Sequence, residues 1–331
     1  MTLAELRYLI AVADLRHFGH AAERCHITQP TLSSQLRKLE EGLGVQLVER
    51  TTRSVTLTPI GERIVTHARR ILEDADQITE LARHRHGVLT SVLRLGIIPT
   101  LSPYILPLFL NDLHQSYPHL RLVLREDLTD NLLAALEAHA LDVLLIALPE
   151  QTGVHPSMPL FREQFCFVCP TGHKLSNRPA VTESDLAQER LLLLDEGHCL
   201  RDQALAVCRD QLRERDTPAD DFRATSLETI CEMVAAGLGS TLLPAMAVPH
   251  LVGDDQRLEV RPINAAMAHR RIGLLWRASF PRSDDLLVLG RFIQAQLPDI
   301  VEQLGPTTKP VNRDRPARAR GQAGAKLRSS A

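Results

Sequence analysis

The chain has 331 residues, 44% hydrophobic and 24% charged, which is ordinary globular composition with material for two or three domains. No run approaches the roughly eighteen uninterrupted apolar residues of a membrane helix, which excludes a membrane partner through such a span. The net charge of −2 is unevenly spread: residues 1–87 hold 12 Lys/Arg against 11 Asp/Glu, residues 88–304 hold 19 against 28, and residues 305–331 hold 7 against 1. A nucleic-acid partner is therefore excluded from the acidic middle and left to the ends.

Glu5 and Arg7 interrupt the apolar residues of the N-terminus and no small-residue cleavage site follows, so the expectation is a soluble cytoplasmic protein without a signal peptide. Thiols are kept reduced in that compartment, so six cysteines argue against a structural disulfide framework. A disulfide here would be a signal or a catalytic step.

In chain order, Leu6, Leu9, Ile10 and Ala13 mark one short helix, and Ala21, Ala22 and Cys25 a second. A third follows, with Thr28 as its cap, Pro30 in its first turn, Leu32, Leu36, Leu39 and Leu43 on one side, and Gly44 as its stop. Its other side carries Thr31, Ser34, Gln35 and Lys38, a face of hydroxyls, an amide and a cation suited to the major groove. Arg50-Thr-Thr-Arg53 then leads into alternating Val55 and Leu57, a small two-stranded wing bearing two arginines.

The runs Phe18-x-x-Ala21-Ala22, Thr28-Gln29-Pro30-Thr31-Leu32-Ser33-x-Gln35-Leu36-x-x-Leu39-Glu40 and Leu43-Gly44-x-x-Leu47-x-x-Arg50 resemble the winged helix-turn-helix of LysR-type regulators. Candidate DNA contacts are Thr28, Gln29, Pro30, Thr31, Ser33, Ser34, Arg37, Lys38, Arg50 and Arg53. Of these, Gln29, Thr31 and Ser34 are expected on bases, and Thr28, Ser33, Lys38 and Arg53 mainly on phosphates.

Thr58-Pro59 opens a long helix whose narrow stripe of Ile60, Ile64, Ile71, Leu72, Ala75, Ile78 and Leu81 runs at close to heptad spacing. With no core of its own to meet, such a seam is expected to pair with a second copy; the resemblance implies a dimerising linker helix, ended by Gly87.

From residue 88 the pattern turns to α/β. Apolar, β-rich runs at 92–98, 120–124, 143–146, 165–168, 191–194, 240–243, 258–260 and 272–276 alternate with helical stretches at 103–117, 130–139, 200–211 and 283–297. Alternation predicts a mainly parallel sheet with covered faces. The resemblance implies two lobes like those of periplasmic binding proteins. The expected organisation is 1–58 as the all-α winged head, 59–87 as the linker helix and 88–304 as an α/β regulatory domain. Within that domain, lobe I takes 88–163 and 268–304 and lobe II takes 164–267, while 305–331 forms a disordered basic tail.

The stretch Asp195-Glu-Gly-His198-Cys199-Leu-Arg201-Asp202-Gln203-Ala204-Leu-Ala-Val-Cys208 carries the chemistry. A strand ends at a glycine turn and a helix begins just after Cys199, so this thiol meets the positive end of a helix dipole with His198 and Arg201 beside it. All three favour thiolate, the form that attacks peroxide. On one intact helix Cys199 and Cys208 stand roughly 13 Å apart, beyond the ~7 Å Cα limit of a disulfide. Bonding them must remodel the helix, which makes a two-state switch.

That stretch, with Phe222-Arg-Ala-Thr-Ser-Leu-Glu-Thr229, Met233-Val-Ala-Ala-Gly237, Ile98-Pro99-Thr100 and Thr241-Leu-Leu-Pro-Ala245, resembles the peroxide-sensing members of the LysR family, from about residue 3 to 300. The resemblance implies Cys199 as the peroxidatic cysteine and Cys208 as the resolving one. Thr100 would orient peroxide with His198 and Asp202, and Thr129 and either Arg270 or Arg271 would complete a pocket that also includes Arg201. It implies an activator of oxidative-stress genes, not an enzyme, with no cofactor and no metal. The implied partners are double-stranded operator DNA, hydrogen peroxide, further copies in a dimer of dimers, RNA polymerase, and a glutaredoxin- or thioredoxin-type reductant. The family pattern does not require the basic tail.

Other signals are weaker. Cys166-Phe-Val-Cys169 has redox or zinc spacing, but on a strand residues three apart face opposite ways. His17, His20, Cys25 and His26 fall on helix-turn-helix positions, Gly237-Leu-Gly239 lacks a third glycine, and no nucleophile elbow is present. Two other functions stay open: a LysR-type regulator holding a small organic effector between its lobes, and a thiol peroxidase using Cys199.

Overall fold

The computed structural model describes residues 1–50, 55–82, 88–149, 153, 155–207 and 224–305. Arg53, Cys208 and the basic tail beyond Gly305 lie outside the described residues. The chain is an N-terminal winged helix-turn-helix, a long helix and a two-lobed α/β domain.

The head comprises α1 (Leu3–Leu15), α2 (Phe18–Arg24), α3 (Gln29–Leu43), β1 (Val48–Arg50) and β2 (Val55–Leu57). Local chemistry sets each start. Thr2 and Glu5 form a reciprocal capping box on α1, His17 Nδ1 accepts from His20 N on α2, and Thr28 Oγ1 accepts from Thr31 N on α3. Gly44 ends α3 in the left-handed region, at φ 68°. Leu9, Leu32, Leu36 and Leu47 meet in a closed core. Glu40 Oε1 accepts from Leu47 N (2.8 Å) and Val48 N (3.1 Å), tying the antiparallel wing to α3.

The long helix α4 (Pro59–Ala82) is capped by Thr58, whose hydroxyl accepts from Gly61 N. Gly61 cannot carry a side chain, because a Cβ there would sit 2.1 Å from the Leu47 carbonyl oxygen. The expectation that α4 has no core to meet needs correction. The helix has two apolar faces: Val65 joins the head's core and Ala68 is buried too, while Ile60, Ile71 and Ile78 stay exposed. Eleven- and seven-residue steps keep the exposed three on one side, about 100° per residue bringing them nearly into line. Glu73, on the same helix, accepts from Arg277 Nη2 (2.7 Å) and pairs with His139 Nδ1, fastening α4 to the regulatory domain.

That domain runs β3 (Val92–Ile97), α5 (Ser102–Ser116), β4 (Arg121–Glu126), α6 (Thr129–Glu137), β5 (Val143–Ala147), β6 (Ser157–Pro170), β7 (Val181–Thr182), α7 (Glu183–Leu186), α8 (Cys199–Val207), α9 (Leu227–Ala235), β8 (Thr241–Pro244), α10 (Val248–Leu251), β9 (Leu258–Asn264), β10 (His269–Trp276), α11 (Ser283–Ala295) and β11 (Glu302–Gln303). The strand order is β4-β3-β5-β10-β6-β9-β7, with β8 and β11 also on β6. The sheet is mixed, not mainly parallel: β3 pairs parallel with β4 and β5, and β7 with β9, but every described pairing of β6 and β10 is antiparallel. The cause is the double crossing between lobes. β6 is one 14-residue strand whose first half pairs with β10 and whose second half, from Phe165, pairs with β8 and β9. β10 returns beside it, so the two crossing strands oppose each other.

Candidate functional site

The loop before α8 is held on three sides. Leu191 bridges Ser240 and Leu194 bridges Ala224 as isolated contacts, where the sequence suggested a continuous strand over 191–194; between them Leu192 N donates to the Ser240 carbonyl (2.8 Å) and the Leu192 carbonyl accepts from Thr241 Oγ1 (2.8 Å). Gly197 sits at φ 90°, and a Cβ there would lie 2.9 Å from Leu128 Cδ1, so the loop rests on the start of α6 in the other lobe. Arg201 Nη1 donates to the Leu194 carbonyl (3.0 Å), closing the loop. Cys199 is the first residue of α8, half-buried against the core, and Arg201 N donates to the His198 carbonyl (2.9 Å) to start the helix.

Two expectations change in detail. His198 is buried, and that burial pushes its pKa below the usual histidine value, with Asp195 opposing only in part. The shift favours the neutral imidazole over the cation near pH 7. Asp202 is exposed, on the solvent side of α8's first turn, so the structure does not gather it with the buried groups.

Thr100 and Arg270 do come together. Both are buried, and Arg270 donates from Nη1 to Thr100 Oγ1 (2.9 Å) and from Nη2 to the Thr100 carbonyl (3.1 Å). The choice between the two arginines falls on Arg270: strand alternation turns it inward at 2% exposure, while Arg271 faces the other way and is half-buried. Its Nε donates to Glu163 Oε2 (2.7 Å), directly across in the β6–β10 register. Glu163 Oε1 accepts from Met246 N (2.8 Å). This carboxylate was missed in the sequence, although a buried arginine on one crossing strand requires an acid on its neighbour.

Thr129 opens α6 next to Leu128, and its hydroxyl is buried without a hydrogen-bond partner among the described residues. Gln203 Oε1, one turn beyond Cys199 on α8, is in the same condition and was also missed. Buried polar atoms left without partners are what a small polar ligand would satisfy. The lobes also touch where Tyr104 donates to Glu228 (3.4 Å) and its ring meets that of His250 at a tilt, with centroids 5.5 Å apart; burial, then the Glu228 charge, push this phenol above its usual value.

The other described thiols sit differently. Burial pushes Cys25 and Cys166 up, Cys169 to about 11 and Cys231 to about 12. Among the described residues no group of three or more His, Cys, Asp or Glu could hold a metal ion. His17 and His20 are instead a helix cap and its stacked neighbour, at 4.2 Å.

On α3, Gln29, Pro30, Thr31, Ser34, Arg37 and Lys38 are exposed, and Ser33 is half-buried. Thr28 spends its hydroxyl on capping and on Thr31 Oγ1 (2.8 Å). Arg50 ends β1.

A recognition helix with a wing, a long helix and a two-lobed domain with a half-buried thiol at the lobe junction define a bacterial transcription regulator of the LysR class. Residues 3–62 match the bacterial regulatory helix-turn-helix proteins of the lysR family, and residues 86–298 match the LysR substrate binding domain. The chain belongs to the LysR family. Within it, the chain is similar to the DNA-binding transcriptional dual regulator OxyR of Escherichia coli K12, 42% identical over 297 residues, covering 90% of this chain and 96% of that one. A hydrogen peroxide-inducible genes activator of Pectobacterium carotovorum is 45% identical over 249 residues, covering 75% and 82%. Among solved structures, a cysteine-to-aspartate variant of full-length OxyR from Pseudomonas aeruginosa matches with TM-score 0.78 at 40% identity, covering 92% and 98%. An H2O2-bound cysteine-to-serine mutant of Corynebacterium glutamicum OxyR matches with TM-score 0.60 at 40% identity, covering 89% and 92%.

Proposed function

We propose that this chain is a redox-switched activator of oxidative-stress genes. Hydrogen peroxide oxidises Cys199 to a sulfenic acid, Cys208 displaces water to form a disulfide, and the remodelled regulatory domain changes how the head sits on operator DNA. The observation that carries this reading is Cys199 itself: a half-buried thiol at a helix N-terminus, next in the chain to the buried His198. The names of its relatives, which include peroxide-inducible activators and an H2O2-bound OxyR, point the same way.

In this reading Thr100, Thr129 and Arg270 line the peroxide pocket with His198, which takes up the thiol proton. Arg201 holds the loop, and Asp202 joins only if α8 turns. On DNA, Gln29, Thr31 and Ser34 read bases while Thr28, Ser33, Lys38 and Arg53 grip phosphates, with Pro30, Arg37 and Arg50 on the same surface. Residues 1–58 form the head, 59–87 the dimerising helix and 88–304 the sensor in two lobes; 305–331 adds salt-sensitive attraction to DNA. The working unit is a cytoplasmic dimer of dimers that contacts RNA polymerase, is reset by a glutaredoxin- or thioredoxin-type reductant, and is no enzyme.

Counting free thiols after micromolar peroxide tests this. The expected result is a loss of two per chain, abolished by Cys199→Ser. No loss, together with a change in operator footprint on adding a small organic effector, would put the effector reading in its place.

A further inference from the structure

We propose that Glu163 is a positioning residue for peroxide reduction at Cys199, acting through Arg270 to make Thr100 a hydrogen-bond donor into the pocket. The proposal rests on the peroxide reading above.

A threonine hydroxyl has one proton and two lone pairs, so its polarity is set by what it meets. Here the guanidinium meets it first. Arg270 Nη1 donates to Thr100 Oγ1 at 2.9 Å, and a guanidinium can only donate. The hydroxyl therefore accepts on that side, and its proton is left for something else. Among the described residues no acceptor takes it. What fixes the guanidinium in this pose is Glu163. Its Oε2 takes Arg270 Nε at 2.7 Å, both side chains are 0% exposed, and its Oε1 is pinned by Met246 N at 2.8 Å. Thr100 belongs to the loop after β3 in one lobe and Met246 to the segment after β8 in the other, so the carboxylate sets the pose from across the lobe junction.

The chemistry needs such a donor. The Cys199 sulfur attacks one peroxide oxygen, forming an S–O bond as the O–O bond breaks. The bonding pair leaves with the far oxygen as hydroxide, which takes up the proton the thiol gave away and departs as water. Sulfur is oxidised by two electrons and peroxide is reduced by two. Negative charge develops on the departing oxygen, and a preorganised hydroxyl donor is worth most there. Alkylation of the same thiol by iodoacetamide expels iodide and needs no such donor.

The test uses the full-length chain, with Cys199 oxidation by H2O2 and alkylation by iodoacetamide both followed by peptide mass spectrometry. For Glu163→Gln the peroxide rate should fall about a hundredfold while alkylation stays within about twofold, the separation expected for a lost transition-state donor. Thr100→Val should fall comparably, and the two together no further, because they remove one device. Equal loss in both reactions, or losses that multiply, would overturn the proposal and leave Glu163 a staple of the fold. Should Glu163→Gln fail to fold, Glu163→Leu with Arg270→Met replaces the buried pair by apolar groups, a change such pairs tolerate. That protein should show the same selective loss, and an undiminished peroxide rate would overturn the proposal. Inertness of Cys199 to peroxide in the unsubstituted chain would instead defeat the peroxide reading, and the proposal with it, before any variant is made.

Discussion

A sensor thiol must react while its neighbours do not. Burial keeps Cys25, Cys166, Cys169 and Cys231 protonated, whereas Cys199 lies half-buried at the head of α8. The flanking His198 and Arg201 were legible in the sequence, but their work was not. Histidine's charge depends on a burial that only the closed loop creates, and Arg201 reaches back to Leu194 instead of forward to the thiol. The choice between Arg270 and Arg271 was illegible for a related reason, since one residue of strand register decides which side chain enters the core. Arg270→Met, which strands the Glu163 charge without its cation, should cost about 3–5 kcal/mol in urea unfolding, while Arg271→Met should stay within about 0.5 kcal/mol. Equal costs would mean that the register is misplaced.

Among the elements, α3 could be read nearly to the residue, because its cap, its proline and its stop are all local signals. β6 could not. Only residues 165–168 looked like a strand, because Pro159 and the Arg162-Glu163-Gln164 run hide the first half, where the charge is consumed by Arg270 on the partner strand. α4 was half legible: its stripe was plain, but its division into a face on α1 and an exposed face appears only once the head is folded. Its tie to the sensor is the Glu73 carboxylate. Burial works to raise that group, but the hydrogen bond with His139 and the charge and hydrogen bond of Arg277 outweigh it and hold the pKa below the usual 4.5. A depressed carboxylate contributes stability that is present above 4.5 and lost as pH falls through its lower folded value. Glu73→Gln should therefore cost roughly 1–3 kcal/mol at neutral pH, and the gap to the parent should narrow as the pH falls below 4.5. A gap independent of pH would show that the contribution of Glu73 is not electrostatic.

At the scale of the whole molecule, alternation of strand and helix gave the α/β class but not the antiparallel crossing, because a chain that visits a second lobe and returns leaves no periodicity of its own. In the proposed dimer the copies meet through the face of α4 that the single chain leaves open, where Ile78 is 69% exposed and Ile71 38%. A charge there would be buried in the dimer, so Ile78→Asp should halve the sedimenting mass of the smallest DNA-bound unit and leave the monomer's helical content unchanged. Unchanged size would remove α4 from the interface. The central claim is the identity of the switch, and it is tested most directly by digesting peroxide-treated protein and mapping its disulfides by mass spectrometry. One dominant bond is expected, Cys199 to Cys208, with Cys166 and Cys169 reduced; a dominant Cys166–Cys169 bond with Cys199 and Cys208 still reduced would contradict this.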